Sequence, residues 1–158
     1  MLSCFNCVNA ALLRIVVFGS ALLVSSSAFA ALGQDVSSVQ SDGVHMKAAV
    51  SVLPGQSYSV HELRAPAGTT IRQFVSPAGQ VFGVSWQGPA TPDLRQLLGE
   101  YFDRYMQAAQ TTPRMSRRVV HIETEDLVVE SGGHMRFKMG RAYLRSKLPD
   151  GVGANDIR

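Results

Sequence analysis

The chain has 158 residues, 46% apolar and 17% charged, with a formal net charge of +3. That balance excludes a disordered chain, and 14 glycines and seven prolines exclude a collagen-like or low-complexity one. Fifteen cations against 12 anions make no nucleic-acid footprint unless they cluster, and two cysteines cannot staple a disulfide-rich scaffold.

Residues 1–30 read as a cleavable signal peptide. Arg14 is their only charge, and Ile15 to Val24 is an apolar run of ten. Ala28-Phe29-Ala30 follows, an A-x-A site whose small residues fit the peptidase pockets. Cleavage is expected between Ala30 and Ala31. The run is shorter than the roughly 20 residues that a spanning helix needs, so no transmembrane span is expected after cleavage. Removing 30 residues leaves 128 and takes away Cys4, Cys7 and Arg14, so the expected mature chain has no thiol and a net charge of +2. A chain of that length supports one core without staples.

Residues 31–56 are rich in Ser, Gly and Gln, and their apolar residues settle on no single period, which predicts a loosely structured leader with at most one short helix or strand. A single α+β domain is expected over 57–149. Tyr58–Arg64, Thr69–Ser76 and Gln80–Trp86 are rich in β-branched and aromatic residues, as strands are. Between them sit Ala65-Pro66-Ala67-Gly68 and Ser76-Pro77-Ala78-Gly79, where proline presets a turn and glycine suits its last position. A three-stranded antiparallel meander follows.

Pro92 to about Ala109 is the clearest helix, with an apolar stripe at Leu94, Leu97, Leu98, Tyr101, Phe102, Tyr105 and Met106. Thr91 is the expected cap, with Pro92 in the first turn. Gly99 inside it implies close approach to a neighbour. One-sided apolarity predicts that this helix packs on the sheet. Arg118–Glu123, Leu127–Glu130 and Met135–Leu144 read as three more strands, with Ser131-Gly132-Gly133 as a turn and a bulge expected at Gly140. Residues 150–158 read as a tail. Hairpins on either side of one helix give an antiparallel α+β fold.

The chemistry is sparse. His45, His61, His121 and His134 have no metal-ligand spacing, although His61 and His121 can meet across a sheet. Ser85 lacks the second glycine of a nucleophile elbow. Glu123, Glu125, Asp126 and Glu130 offer paired carboxylates, or a solvated hairpin tip. Arg136, Lys138, Arg141, Arg145 and Lys147, with Arg114, Arg117 and Arg118, offer an anion-binding face, or a charged edge that blocks pairing. Trp86 is a core plug or a ligand platform. The ligand-site candidates are His61, Trp86, His121, His134, Arg136 and Arg141. No catalytic, cofactor or metal set emerges.

Several segments taken in order carry a resemblance: Tyr58–Leu63, Phe74–Gly79, Trp86-Gln-Gly-Pro89, Leu97-Leu98-Gly99 with Tyr101-Phe102, Ser131–Arg136 and Gly140–Leu144. The chain resembles a proteobacterial family of small exported proteins of unknown function. That resemblance implies a Gram-negative periplasmic or secreted location and no assigned activity. The expectation is a non-enzymatic module that binds an envelope protein or an anionic envelope component, without cofactor or nucleic acid. The alternative is a small hydrolase or metal-binding protein using histidines and carboxylates.

Overall fold

The computed structural model describes residues 32–112 and 119–158. The expected signal peptide, its cleavage junction, and Arg114, Arg117 and Arg118 lie outside the described residues. No described helix is long and apolar enough to cross a membrane.

The elements in chain order are α1 (Ser37–His45), β1 (Ala49–Pro54), β2 (Ser59–Arg64), β3 (Thr70–Val75), β4 (Val81–Gly88), α2 (Leu94–Leu98), a 3-10 turn (Gly99–Tyr101), α3 (Phe102–Thr111), β5 (Val119–Glu123), β6 (Leu127–His134) and β7 (Phe137–Leu144). All seven strands form one antiparallel sheet in the order β1-β2-β3-β4-β7-β6-β5. The α+β class is as expected; the meander has four strands instead of three, because β1 adds to its outer edge. In both Pro-Ala-Gly turns the glycine N–H returns to the first residue's carbonyl, Gly68 to Ala65 and Gly79 to Ser76, each at 2.9 Å.

Residues 31–56 are not a loose leader, for they contain α1 and β1. The buried residues of α1 are Ser38, Val39, Asp42 and Gly43. Polar and small side chains face the sheet, so no apolar period marks this helix. β1 is exposed along its whole length and lacks the one buried face that produces a strand's alternation.

The long helix is broken into α2, a 3-10 turn and α3. Gly99 adopts φ 51° and ψ −121°, outside the helical region and open chiefly to glycine. The cap is Asp93, two residues later than expected: its Oδ1 accepts from the N–H of Arg95 at 2.8 Å and of Gln96 at 3.4 Å.

The β6–β7 hairpin is longer than the sequence suggests. β6 runs on through Ser131-Gly132-Gly133 to His134, which pairs with Phe137, and Met135-Arg136 make the turn. Gly133 serves close approach instead of a turn, since a Cβ there would lie 2.2 Å from Phe137 O. Gly140 makes no bulge. It stays in register with Trp86 and Ser131, and its missing side chain makes room for the indole.

The helices cover one face of the sheet. There Leu63, Ile71, Val84, Trp86, Val129, Ala142 and Leu144 pack against Leu97, Leu98 and Tyr101. Asp42 pins this layer together, accepting from Gln73 Nε2 at 2.8 Å and Gln96 Nε2 at 2.6 Å. On the opposite face Phe74, Phe82, Val128 and Tyr143 enclose the fully buried Ile157. Residues 150–158 are therefore part of the fold, a strap over one end of the second face.

Candidate functional site

Strand register sets up the strapped face. Side chains directly opposite one another in an antiparallel sheet share a face. The pairs Ser51–Glu62, Glu62–Arg72, Arg72–Ser85, Ser85–Arg141, Arg141–Glu130 and Glu130–His121 thus form one polar row across all seven strands. On one side of it lies the apolar row Val60, Phe74, Gly83, Tyr143 and Val128, filled by Ile157. A Cβ on Gly83 would come within 2.9 Å of Ile157 Cδ1. On the other side Thr70, Gln87, Met139, Gly132 and Val119 line up. They floor a trough of about 800 Å³, walled by the polar row and by Asn155, Ile157 and Arg158 of the strap.

The polar row is knitted by charge-assisted bonds, the stronger kind. Glu62 accepts from Arg72 Nε at 2.9 Å and Arg64 Nε at 2.7 Å. Those two guanidiniums, Arg64 first, hold its carboxyl below the usual range. Arg141 Nε donates to Glu130 at 2.6 Å. His121 meets Glu130 through Nδ1 at 3.1 Å and Glu123 through Nε2 at 3.3 Å. Glu123 also pairs with Arg145, and Arg145 followed by His121 lowers its pKa. Two arginines fasten the strap: Arg72 Nη1 donates to Arg158 O at 3.2 Å and Arg141 Nη1 donates to Ala154 O.

The structure joins two of the six sequence candidates. His121 and Arg141 meet through Glu130. Trp86 lies on the helix-covered face, buried against Gly140, as a core plug. Its Nε1 has no hydrogen-bond partner among the described residues. His61 also faces the helix side, with its Nε2 3.4 Å from Ser59 Oγ; burial lowers its pKa. His61 and His121 do not meet. They sit on opposite faces, five strand spacings or about 24 Å apart. His134 and Arg136 are exposed at the β6–β7 hairpin, where the His134 ring lies 6.1 Å from that of Phe137.

The same geometry bears on the other readings. Ser85 and His121 are three strand spacings apart, about 14 Å, too far for a nucleophile and its base. Glu123 and Glu130 approach opposite ring nitrogens of His121 and do not face one ion, and no metal-holding group of His, Cys, Asp and Glu occurs among the described residues. The basic carboxyl region does not form one cationic face. Arg141 belongs to the polar row, Arg145 pairs with Glu123, and Lys147 Nζ donates to Gly33 O at 3.1 Å.

Sequence reasoning missed Arg72, Glu62 and Met139. A signal exists for Arg72: Thr70-x-Arg72-x-Phe74 puts an arginine on the same side of a strand as a core phenylalanine.

No curated protein and no solved structure matches the chain. Residues 28–157 match a family described as a protein of unknown function, DUF2844. With the match covering most of its 158 residues, the chain belongs to the DUF2844 family.

Proposed function

We propose that this protein is an exported, non-enzymatic binding module of the Gram-negative envelope whose ligand lies in the trough beside the strap. The observation that carries this reading is the trough itself. About 800 Å³ falls within the ~300–1,000 Å³ typical of small-molecule sites. Its floor runs from apolar Met139 and Val119 to the guanidiniums of Arg72 and Arg141. Such a gradient suits an elongated amphipathic ligand with acceptor oxygens at one end, and the strap carbonyls on the same arginines illustrate that bonding. The residues argue for recognition over turnover: Glu62, Glu123 and Glu130 are each paired with an arginine, and serine and histidine stand apart. Ala28-Phe29-Ala30 supports export.

A titration of the purified protein with decanoate, and in parallel with decanol, tests the site. Decanoate is expected to shift the Met139 methyl and the amides of Thr70, Gln87 and Gly132 at lower concentration than decanol. Shifts centred on the helices overturn the trough as the site. Amino-terminal sequencing tests export. Ala31 as the first residue of protein recovered outside the cytoplasm is expected, and an intact Met1 in the cytoplasm contradicts it.

A further inference from the structure

We infer that the protein self-associates through β1, which pairs antiparallel with β1 of a second copy about a two-fold axis at Ser51.

β1 is a margin of the sheet, paired to β2 over six residues on its inner side. It is exposed throughout, with Val52 at 52%. Edge strands are ordinarily blunted by charge, bulges or internal proline. Ala49-Val-Ser-Val-Leu-Pro54 has no charge, its pairing to β2 has no register shift, and its only proline is the last residue. The opposite margin, β5, carries His121 and Glu123 in an ionic network with Arg145. The two margins are therefore unlike: one is guarded and the other is built to pair.

A second copy of this chain is the occupant that β1 fits. A two-fold axis perpendicular to the sheet must set side chains of the same face opposite each other. Centred on Ser51, it sets Val50 against the partner's Val52 and Ala49 against the partner's Leu53. Lys47, the nearest cation, falls opposite the partner's Gly55 and away from its own copy. Val44 at the end of α1 is 78% exposed, and Gly43 beside it packs on Val50, so the apolar surface extends past the strand. Pairing β1 with β5 of the next copy would instead grow an open filament and place valines against His121 and Glu123. Pairing β1 with β1 is isologous and closes at two, leaving both guarded margins outward. One six-residue strand pair is a small interface, at the weak end below about 1,200 Å².

Sedimentation of the purified protein from 5 to 500 μM tests this. The expected result is a shift from 1 to 2 chains across that range. Val52→Lys, on an exposed side chain, is expected to weaken the dimer at least tenfold with an unchanged melting temperature. Adding Val50→Glu places opposite charges across the Ser51-centred register and is expected to restore it. A wild-type monomer throughout, species larger than two chains, a dimer indifferent to Val52→Lys, or failure of the double variant to recover would each overturn the proposal.

Discussion

Arg141 reaches from the middle of β7 to the backbone of Ala154, donating Nη1 to that carbonyl while its Nε donates to Glu130 at 2.6 Å. One side chain therefore links three things: the strap, the polar row and the trough wall. Arg141→Ala frees the strap at that point and leaves Glu130 without its arginine. The expected loss is about 1.5–3 kcal/mol, the usual worth of a hydrogen bond to a charged group. Amide exchange at residues 155–158 is expected to rise at least tenfold. Arg141→Lys does not rescue it, because an ammonium cannot hold the two acceptors in a planar fork.

Gly140 is required by Trp86. A Cβ at this position would stand 2.3 Å from Trp86 Cζ2 and 2.8 Å from the backbone oxygen of Glu130. Gly140→Ala is expected to destabilise by about 1–3 kcal/mol through overpacking, measured by urea denaturation. Trp86→Leu in the same chain relieves the indole clash, so the double variant loses less than the sum of the singles.

Asp42 gathers α1, β3 and α2. It is fully buried, and its two carboxyl oxygens accept from Gln73 and Gln96. Asp42→Ala leaves the buried Gln73 amide and the half-buried Gln96 amide short of a partner. Each such group costs about 1–3 kcal/mol, so a total loss of about 2–5 kcal/mol is expected by thermal denaturation. A loss below 1 kcal/mol would contradict the pinning role.

Stability is expected to fall in two windows on acidification. Burial lowers the His61 pKa, so the unfolded chain takes up this proton first. The loss begins near the ordinary histidine value of about 6.5 and is complete below the folded value. Glu62 is lowered by Arg64 and Arg72, so its contribution is full above about 4.3 and vanishes as pH falls through the folded value. His61→Gln is expected to flatten the upper window and Glu62→Gln to reduce the slope of the lower one. A profile unchanged in both variants would contradict these assignments.

The sequence displayed the meander and the apolar helix stripe, because buried alternation and a 3.6-residue period leave marks on residue order. It hid α1, whose buried residues Ser38, Val39, Asp42 and Gly43 include a single apolar side chain of any size, and β1, which is exposed on both faces. It also hid the site. Glu62, Arg72, Ser85, Arg141, Glu130 and His121 are far apart in the chain and align only through the register of six strands. Arg141, His121 and Glu130 each stand out in the sequence, but as parts of separate patterns, and only the pairing of β5, β6 and β7 joins them. Ile157 stood among small and polar residues, and only the Phe74–Phe82 cluster explains its burial.

The most direct test of the trough is photo-crosslinking at position 139 in cells that express the protein, with position 106 on α3 as control. The trough reading predicts one specific adduct at 139, lost on Arg72→Gln or in excess decanoate, and none at 106. Equal adducts at both positions, or none at 139, would contradict it.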